Sequence, residues 1–490
     1  MRLEQHSRTN YGMERVCQKL TVSVIGMNNT YKTLLLVLFT ILVFKGTGTA
    51  RPNVVYIISD DQAFADFGFM GHPFVKTPHL DKLAEQSAVF PNGYLTASVC
   101  RPSLMTLLTG RYQFQHGVHF NHPPPGSQAL TNDPNLNKVE YDRIREEACD
   151  LIRNTSSLPR ILAAKGYRCF QTGKYWEGHW RNAGFTEGMT IAEPSNAKNG
   201  NRILANGDVV AHGNGDAGLA IGRETMQPIS KFLDSCGADQ PFMLWYAPFL
   251  PHTPHDSPEE YSEFYRNRGL PEHEIAYYSS ISWFDETVGT LIEAIEERGL
   301  SDDTLFVFVV DNGFEPHPEH RNAYTKNSKR SPYDLGLRTP ILLRWDGVIQ
   351  AGTHEGLVSS IDLFPTILDA CNINNMFQTP GSSLFPAATG KSKLDPRRAV
   401  FGAIYPGNAS VLGNPAADVA YRWVRHENYK LIVPRSANPW GNYLNEISLF
   451  NIVDDPYETV DLSRSEEHQE TLRAMRVLLD SWWNPELIQQ

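Results

Sequence analysis

Two oxygen-bearing pairs stand out for the chemistry they offer. Asp60–Asp61 directly follows the apolar run V-V-Y-I-I-S at 54–59, and Asp311–Asn312 directly follows L-F-V-F-V-V at 305–310. These side chains form an all-oxygen donor set, suited to Ca2+ or, less well, Mg2+, and unsuited to Zn2+. Two further apolar runs lead to other useful groups: Lys174 after Y-R-C-F at 167–170, and His252 after F-M-L-W-Y-A at 242–247. Cys100 stands before R-P-S-L-M-T-L-L-T-G at 101–110, which reads as a short helix with Pro102 in its first turn and Gly110 as its stop. The unpaired N–H groups at such a helix start favour an anion. Taken singly, these residues have plainer readings. An aspartate after a strand caps a helix, a lysine is solvated, a histidine in P-H-T-P-H serves a turn, and a buried cysteine is a small hydrophobe. Their common position after four apolar runs sets them apart.

Those runs must be strands. Short β-branched segments alternating with helical stretches predict an α/β fold, a large and mostly parallel sheet flanked by helices. Such sheets bind ligands beyond the carboxyl ends of their strands, which is where all these residues fall. A long helix near 274–299 precedes the last of the four strands. The segment 77–86 has helical periodicity, with Thr77 as cap and Pro78 as first residue. Residues 121–138 and 193–216 read as long irregular loops that face a substrate. Beyond the Gly/Ser/Pro-containing stretch at 379–397, A-Y-R-W-V-R and Y-K-L-I-V predict paired strands and 465–483 an amphipathic helix. A smaller C-terminal α+β domain with an antiparallel sheet is therefore expected over 391–490. H-P-E-H (His317, Glu319, His320) lacks a third ligand at helical spacing and reads as a polar loop, not a zinc site.

Composition bounds the rest. A chain of 490 residues exceeds one ordinary core, and 41% hydrophobic with 20% charged residues marks a globular protein. A net charge of -11 argues against a nucleic-acid partner. The apolar run at 33–44, preceded by Lys32 and followed by small residues up to Ala50, predicts a signal peptide over 1–50. It is too short for a span, so no stable membrane span is expected after leader removal. The first 26 residues are mostly polar, and translation is expected to begin at Met27. The protein is then exported, to a periplasm or outside the cell. Cys17 leaves with the leader; Cys100 is set apart for chemistry, and Cys149, Cys169, Cys236 and Cys371 are left in an even number that can pair.

From 52 to the closing L-F-N-I-V-D-D-P-Y-E-T-V-D-L, the chain resembles the sulfatase family, within the alkaline phosphatase superfamily. The most specific segment is S-V-C-R-P-S-L-M-T-L-L-T-G-R at 98–111, similar to C-x-P-S-R-x-x-x-L-T-G-R, whose cysteine becomes formylglycine. T-G-K at 172–174, P-H-T-P at 251–254 and V-D-N-G at 310–313 also match, as does Lys329 before Y-D-L-G-L-R-T-P. The resemblance implies an alkaline phosphatase-like fold, with the sulfatase catalytic domain over 51–390. It implies a calcium ion held by Asp60, Asp61, Asp311, Asn312 and the modified Cys100, and a formylglycine-generating or other sulfatase-maturing enzyme as partner. Hydrated formylglycine attacks sulfur with one hydroxyl, and the other lets the aldehyde re-form. Lys174 and Lys329 would neutralise sulfate oxygens and His252 would protonate the departing alcohol. Two positions depart from the pattern. Leu104 stands where the family has the arginine of C-x-P-S-R, and Trp176 where G-K-x-H has a histidine; His179 and Arg101 are candidate substitutes. The pairing of C-R-P-S-L with G-K-Y-W resembles a variant subgroup of the family.

The leading expectation is an exported sulfatase that hydrolyses sulfate esters, of a sulfated small molecule or, above all, a sulfated carbohydrate. A phosphoester or phosphonate hydrolase of the same superfamily is the second reading. A pseudo-sulfatase that binds sulfated glycans without turnover is the third, kept open by Leu104 and Trp176. N-terminal sequencing of a C-terminally tagged precursor tests the leader: the chain should begin at Met27 before processing, and a precursor that retains residues 1–26 overturns that start.

Overall fold

The first expected strand, β1 (Asn53–Ser59), is buried at every residue. Alternation explains this: Val54, Tyr56 and Ile58 enter one core, Val55 and Ile57 another. A strand covered on both faces reads as an unbroken apolar run. In the computed structural model, which describes residues 51–237, 239–374, 378–435 and 444–486, β1 is central to a nine-stranded sheet. The expected leader and the Met27 start lie outside the described residues.

The chain goes on through β2 (Ala88–Tyr94), β3 (Arg168–Gly173) and β4 (Glu187–Gly188) to a small hairpin, β5 (Asn201–Ile203) and β6 (Val209–Ala211). Then come β7 (Phe242–Ala247), β8 (Thr304–Val310), β9 (Arg338–Arg344), β10 (Gly352–Thr353) and β11 (Val358–Ser359). The large sheet has the order β10-β2-β9-β8-β1-β7-β3-β4, with β11 also on β2. β9 runs against both of its neighbours, and the other pairings are parallel. The expected alkaline phosphatase-like, mostly parallel sheet is present.

One face is covered by α1 (Cys100–Thr109), through Leu104, Met105, Leu107 and Leu108. The other is covered by α2 (Glu272–Glu296), whose Phe284, Val288, Leu291 and Ile295 follow one another at the 4-3-4 spacing of a helical stripe. α3 (Leu363–Ala370) joins α1 on the first face through Leu363, Phe364 and Ile367. The helix Pro78–Glu85 begins at Pro78 as expected, but the Thr77 side chain does not cap it. Its hydroxyl accepts from Gly68 N–H and donates to Asp81 instead, a tertiary bond that wins over the local one.

Both expected loops carry some regular structure. Ser127–Asn132 is helical, and β5–β6 closes through Asn206–Gly207, with Gly207 at a φ of 90° that the turn needs and glycine adopts without strain. The leftover cysteines, whose even number would allow pairing, form no disulfide among the described residues. Cys149, Cys169 and Cys236 keep thiols that donate to the carbonyls of Arg145, Pro159 and Phe232.

At the C-terminal end, β12 (Ala399–Ile404), β13 (Tyr421–His426), β14 (Tyr429–Pro434) and β15 (Ser448–Asn451) form the expected antiparallel sheet. α4 (Gln469–Trp482) covers one face through Met475 and Leu479. On the other face Trp423, Ile432 and Phe450 share a core with Tyr94 and Leu337 of the main body. A buried ion cluster pins this junction. Lys430, fully buried, donates to Asp334 at 2.7 Å and lies 2.8 Å from Glu458, while Tyr94 donates to Asp334 at 2.8 Å. Burial pushes the Glu458 carboxyl up to about 7.

Removing one partner of such a cluster strands a buried charge. Lys430→Met is expected to lower the unfolding free energy by about 3–5 kcal/mol, measured by urea denaturation. A loss below about 1 kcal/mol would show that the cluster does not hold the junction.

Candidate active site

The strands β8, β1, β7 and β3 are consecutive neighbours and all parallel, so their carboxyl ends open on one edge. Register then does the placing. Ser59 pairs with Val310, which sets Asp60 beside Asp311; Gly173 pairs with Ala247, which sets Lys174 beside the turn to His252. The chain turns sharply at each exit. Asp61 has a φ of 64°, a left-handed conformation that aspartate tolerates better than most residues. A side chain at Gly173 would put a Cβ 1.9 Å from the Ala247 carbonyl, and Gly173 also has a φ of 72°. The glycine of T-G-K is thus required by backbone proximity.

These exits bring the expected residues together around Cys100, the first residue of α1 and 1% exposed. Lys174 Nζ lies 2.6 Å from Asp60 Oδ1 and 3.2 Å from the Cys100 sulfur. Lys329 Nζ grips both oxygens of Asp61, at 2.6 and 2.7 Å. Asn312 donates to Asp61 at 2.6 Å, and Asp61 N–H donates to Asp311 at 3.1 Å. His252 Nε2 stands 3.4 Å from Asp61; its Nδ1 meets the Thr253 carbonyl at 2.6 Å, which puts the ring proton of the neutral tautomer on Nδ1.

Burial and charge oppose each other here. Burial pushes Asp60 and Asp311 above the ordinary carboxylate range, with Lys174 working against it. Burial pushes on Asp61 too, but Lys329, His252 and Lys174 outweigh it and hold that carboxyl low. Burial disfavours a charged Lys174, and Asp60 and its neighbours more than compensate. Burial also lifts the Cys100 thiol to about 12 and holds His252 well below the usual imidazole range.

The donor set fits a hard divalent cation. Asp60 Oδ2, Asp311 Oδ2 and Asn312 Oδ1 are buried and accept no hydrogen bond, although a buried acceptor normally has a partner. Ligand atoms of Asp60, Asp61, Cys100 and His252 all lie within 4.8 Å of one another. Three carboxylates face two ammonium groups, so a divalent cation would turn a net negative site positive.

The two substitutes suggested by sequence fail. Arg101 is buried and its charge is spent on Glu177, with Nε and Nη2 at 2.7 and 2.8 Å from the two carboxylate oxygens. It ties the start of α1 to the segment after Lys174 and positions Cys100 without facing substrate. His179 caps a short helical turn through Arg181 N–H and packs at a tilt against Trp180. Leu104 packs in the same apolar core as Cys100 and Trp176, where an arginine would need a partner charge. His317 accepts the backbone N–H groups of Glu319 and His320 in a turn, and among the described residues it joins no metal cluster.

A cleft of about 550 Å³ opens above Cys100, with Asp61, His252 and Lys329 in its lining. Its walls hold four residues that sequence reasoning missed: Asn121, His122, His212 and Asn214. The only signal for them was that both long loops were expected to face a substrate. Lys198 and Arg202 of one loop and Arg330 of the basic segment 321–330 also line it.

Comparison with known proteins bears on the family and the fold. The sequence model of the sulfatase family matches residues 52–373, and that of the N-sulphoglucosamine sulphohydrolase C-terminal region matches 323–483. Arylsulfatase A of Homo sapiens is 29% identical over 396 residues, 74% of this chain and 72% of its own. An ulvan-active sulfatase of Formosa agariphila is 27% identical over 350 residues, 66% of this chain and 62% of its own. The crystal structure of Ps i-CgsB superposes with a TM-score of 0.65 at 23% identity, covering 88% of this chain and 92% of that one, a likeness of fold.

The Arg101–Glu177 pair gives a test of the positioning role. Glu177→Ala should destabilise the protein by about 3–5 kcal/mol, and Arg101→Met with Glu177→Ala should recover more than half of that loss. A double-mutant cycle in urea reads the coupling; additive single effects would show that the two charges do not depend on each other.

Proposed function

Because this chain belongs to the sulfatase family of sulfuric ester hydrolases, we propose that it hydrolyses sulfate esters of carbohydrates in the cleft above Cys100, with Cys100 converted to formylglycine. The observation that carries this reading is the convergence of Asp60, Asp61, Asp311, Asn312, Lys174, Lys329 and His252 on that one sulfur. The ulvan-active relative supports the glycan half of it. Export follows from the apolar run at 33–44; among the described residues no helix is long and apolar enough to cross a membrane. We assign 51–390 as the catalytic domain, which holds every residue of the site, and 391–490 as the C-terminal domain.

Asp60, Asp61, Asp311 and Asn312, with the side chain at 100, would hold a calcium ion, whose charge stabilises the anionic nucleophile and the sulfate oxygens. Formylglycine supplies a hydrated aldehyde, a nucleophile that unmodified Cys100 cannot provide. Lys174 and Lys329 are already oriented at the sulfur and at Asp61, so each can bind a sulfate oxygen with little reorganisation. His252 lines the cleft and gives a proton to the departing alcohol oxygen. Its burial works against carrying that proton, while Asp61 and the anionic ester work for it. The Arg101–Glu177 pair holds the nucleophile's helix against the Lys174 segment, so distances in the site stay short.

Mass spectrometry of the Cys100 peptide, from protein made in its native host, should show the aldehyde, and unmodified thiol throughout overturns the formylglycine mechanism. Cys100→Ala should abolish sulfate release. Lys329→Ala should lower kcat/KM by about 10²-fold or more, for a small aryl sulfate as well as a glycan, because its partner is the sulfate itself. Normal aryl sulfate turnover in that variant removes Lys329 from the site.

A further inference from the structure

The cleft carries more positive charge than its reaction centre uses. At the floor three aspartates face two lysines. With a divalent cation bound, the ionised carboxylates and the lysines sum to one positive charge, which the single charge of a sulfate ester cancels. The rim is different. Lys198, Arg202 and Arg330 line the cleft, and among the described residues its lining holds no carboxylate except Asp61, which Lys329 already grips. Lys198 is matched by Asp256 at 2.6 Å. The two arginines are not matched.

Each arginine is held by a neutral group. Arg202 lies on the exposed strand β5, and its Nη2 reaches His212 Nε2 at 3.2 Å. Burial keeps the His212 imidazole well below its usual range and Arg202 pushes it the same way, so the ring is an uncharged acceptor. Arg330 donates its backbone N–H to the Ser98 carbonyl at 2.8 Å and its Nη1 to the Pro406 carbonyl at 3.2 Å. An imidazole or a carbonyl orients a guanidinium and leaves its charge in place. Among the described residues neither arginine has a carboxylate partner, whereas the charge of Arg101 is spent on Glu177.

Both stand one step out from a lysine of the reaction centre. Arg330 follows Lys329 in the chain, and its bond to Ser98 ties it to the residue two before Cys100. The His212 ring that holds Arg202 packs on Trp176 with centroids 5.4 Å apart, and Trp176 is two residues past Lys174. Neither is sealed in: Arg202 is exposed and Arg330 half-buried.

Charge decides what such a rim takes. A sugar hydroxyl accepts from a guanidinium without cancelling its charge, and a cationic or apolar group does neither. A sulfate or a carboxylate does both, and its oxygens match the fork of N–H donors. We propose that Arg202 and Arg330 form an anion-recognition rim that selects sulfate esters whose carbohydrate carries a second anionic group, sulfate or carboxylate, besides the sulfate that is cleaved. This rests on the reading of the Cys100 cleft as a sulfate-ester site and adds which esters it prefers.

Titration calorimetry on the Cys100→Ala protein, in calcium-containing buffer, tests it. Monosulfated methyl hexosides and hexose disaccharides are compared with matched probes that carry one more sulfate, or a uronate in place of one hexose. The best dianionic probe should bind about tenfold or more tightly than its singly charged counterpart. A winning disulfate identifies the second group as sulfate, and a winning sulfated uronide identifies it as carboxylate. Arg202→Gln combined with Arg330→Gln should bring that ratio below about threefold while monosulfate affinity stays within about threefold of the parent. No advantage for any dianionic probe, or an advantage that the double variant keeps, overturns the rim. Should the double variant fail to fold, Arg202→Gln alone, a change at an exposed position, takes its place. A ratio cut by about threefold or more then supports the proposal, and an unchanged ratio overturns it. Failure of the underlying reading looks different: no monosulfate binds and the parent protein releases sulfate from no ester, which removes the sulfate-ester site and the rim with it.

Discussion

The arrangement depends on one electrostatic problem: three aspartates and two lysines are buried side by side at the edge of a sheet. Carboxylates taken out of water raise their pKa or find a countercharge. Asp61 finds two, Lys329 directly and Lys174 nearby, and stays low. Asp60 and Asp311 share Lys174 and are pushed up by burial, each with an oxygen that meets no donor. Such a cluster would be costly in a protein without use for it. It makes sense where a divalent cation and an anionic ester complete the balance, the cation satisfying the carboxylates and the ester the lysines.

Much of the remaining structure serves to keep that cluster rigid. Parallel register fixes the strand exits to within a residue, and Gly173 lets β3 and β7 approach where a side chain would collide. Arg101 and Glu177 join the helix that starts at Cys100 to the Lys174 segment, and Lys430 reaches from the C-terminal sheet to Asp334, five residues beyond Lys329. The C-terminal sheet is therefore more than an appendage. Its buried lysine steadies the segment that carries Lys329.

The fold was largely legible because its central strands are buried on both faces, and a doubly buried strand is an apolar run that periodicity cannot hide. The chemistry was legible for a related reason. A strand that ends in Asp-Asp or Asp-Asn places a charge at a known edge of a known kind of sheet, and Cys100, Lys174 and His252 fell on the same edge. Thr77 shows the limit: a good local cap was displaced when its hydroxyl took the Gly68 N–H from outside the helix and the Asp81 carboxylate within it. The cysteines show it again, since an even number of thiols says nothing about where their sulfurs lie.

Residue type and order alone determined the sheet, the aspartates at its strand exits and the candidate site around Cys100. These follow from local pattern, since a strand's burial and its exit residues are written in consecutive letters. Tertiary structure alone decided what surrounds that centre. Arg101 was a free charge on paper and is spent on Glu177, seventy-six positions away. His179 was near in sequence and points elsewhere, while His122 and His212, ninety residues apart, meet across Trp176. Loops carry no periodicity, so which of their side chains reach the cleft depends on how the chain closes around it.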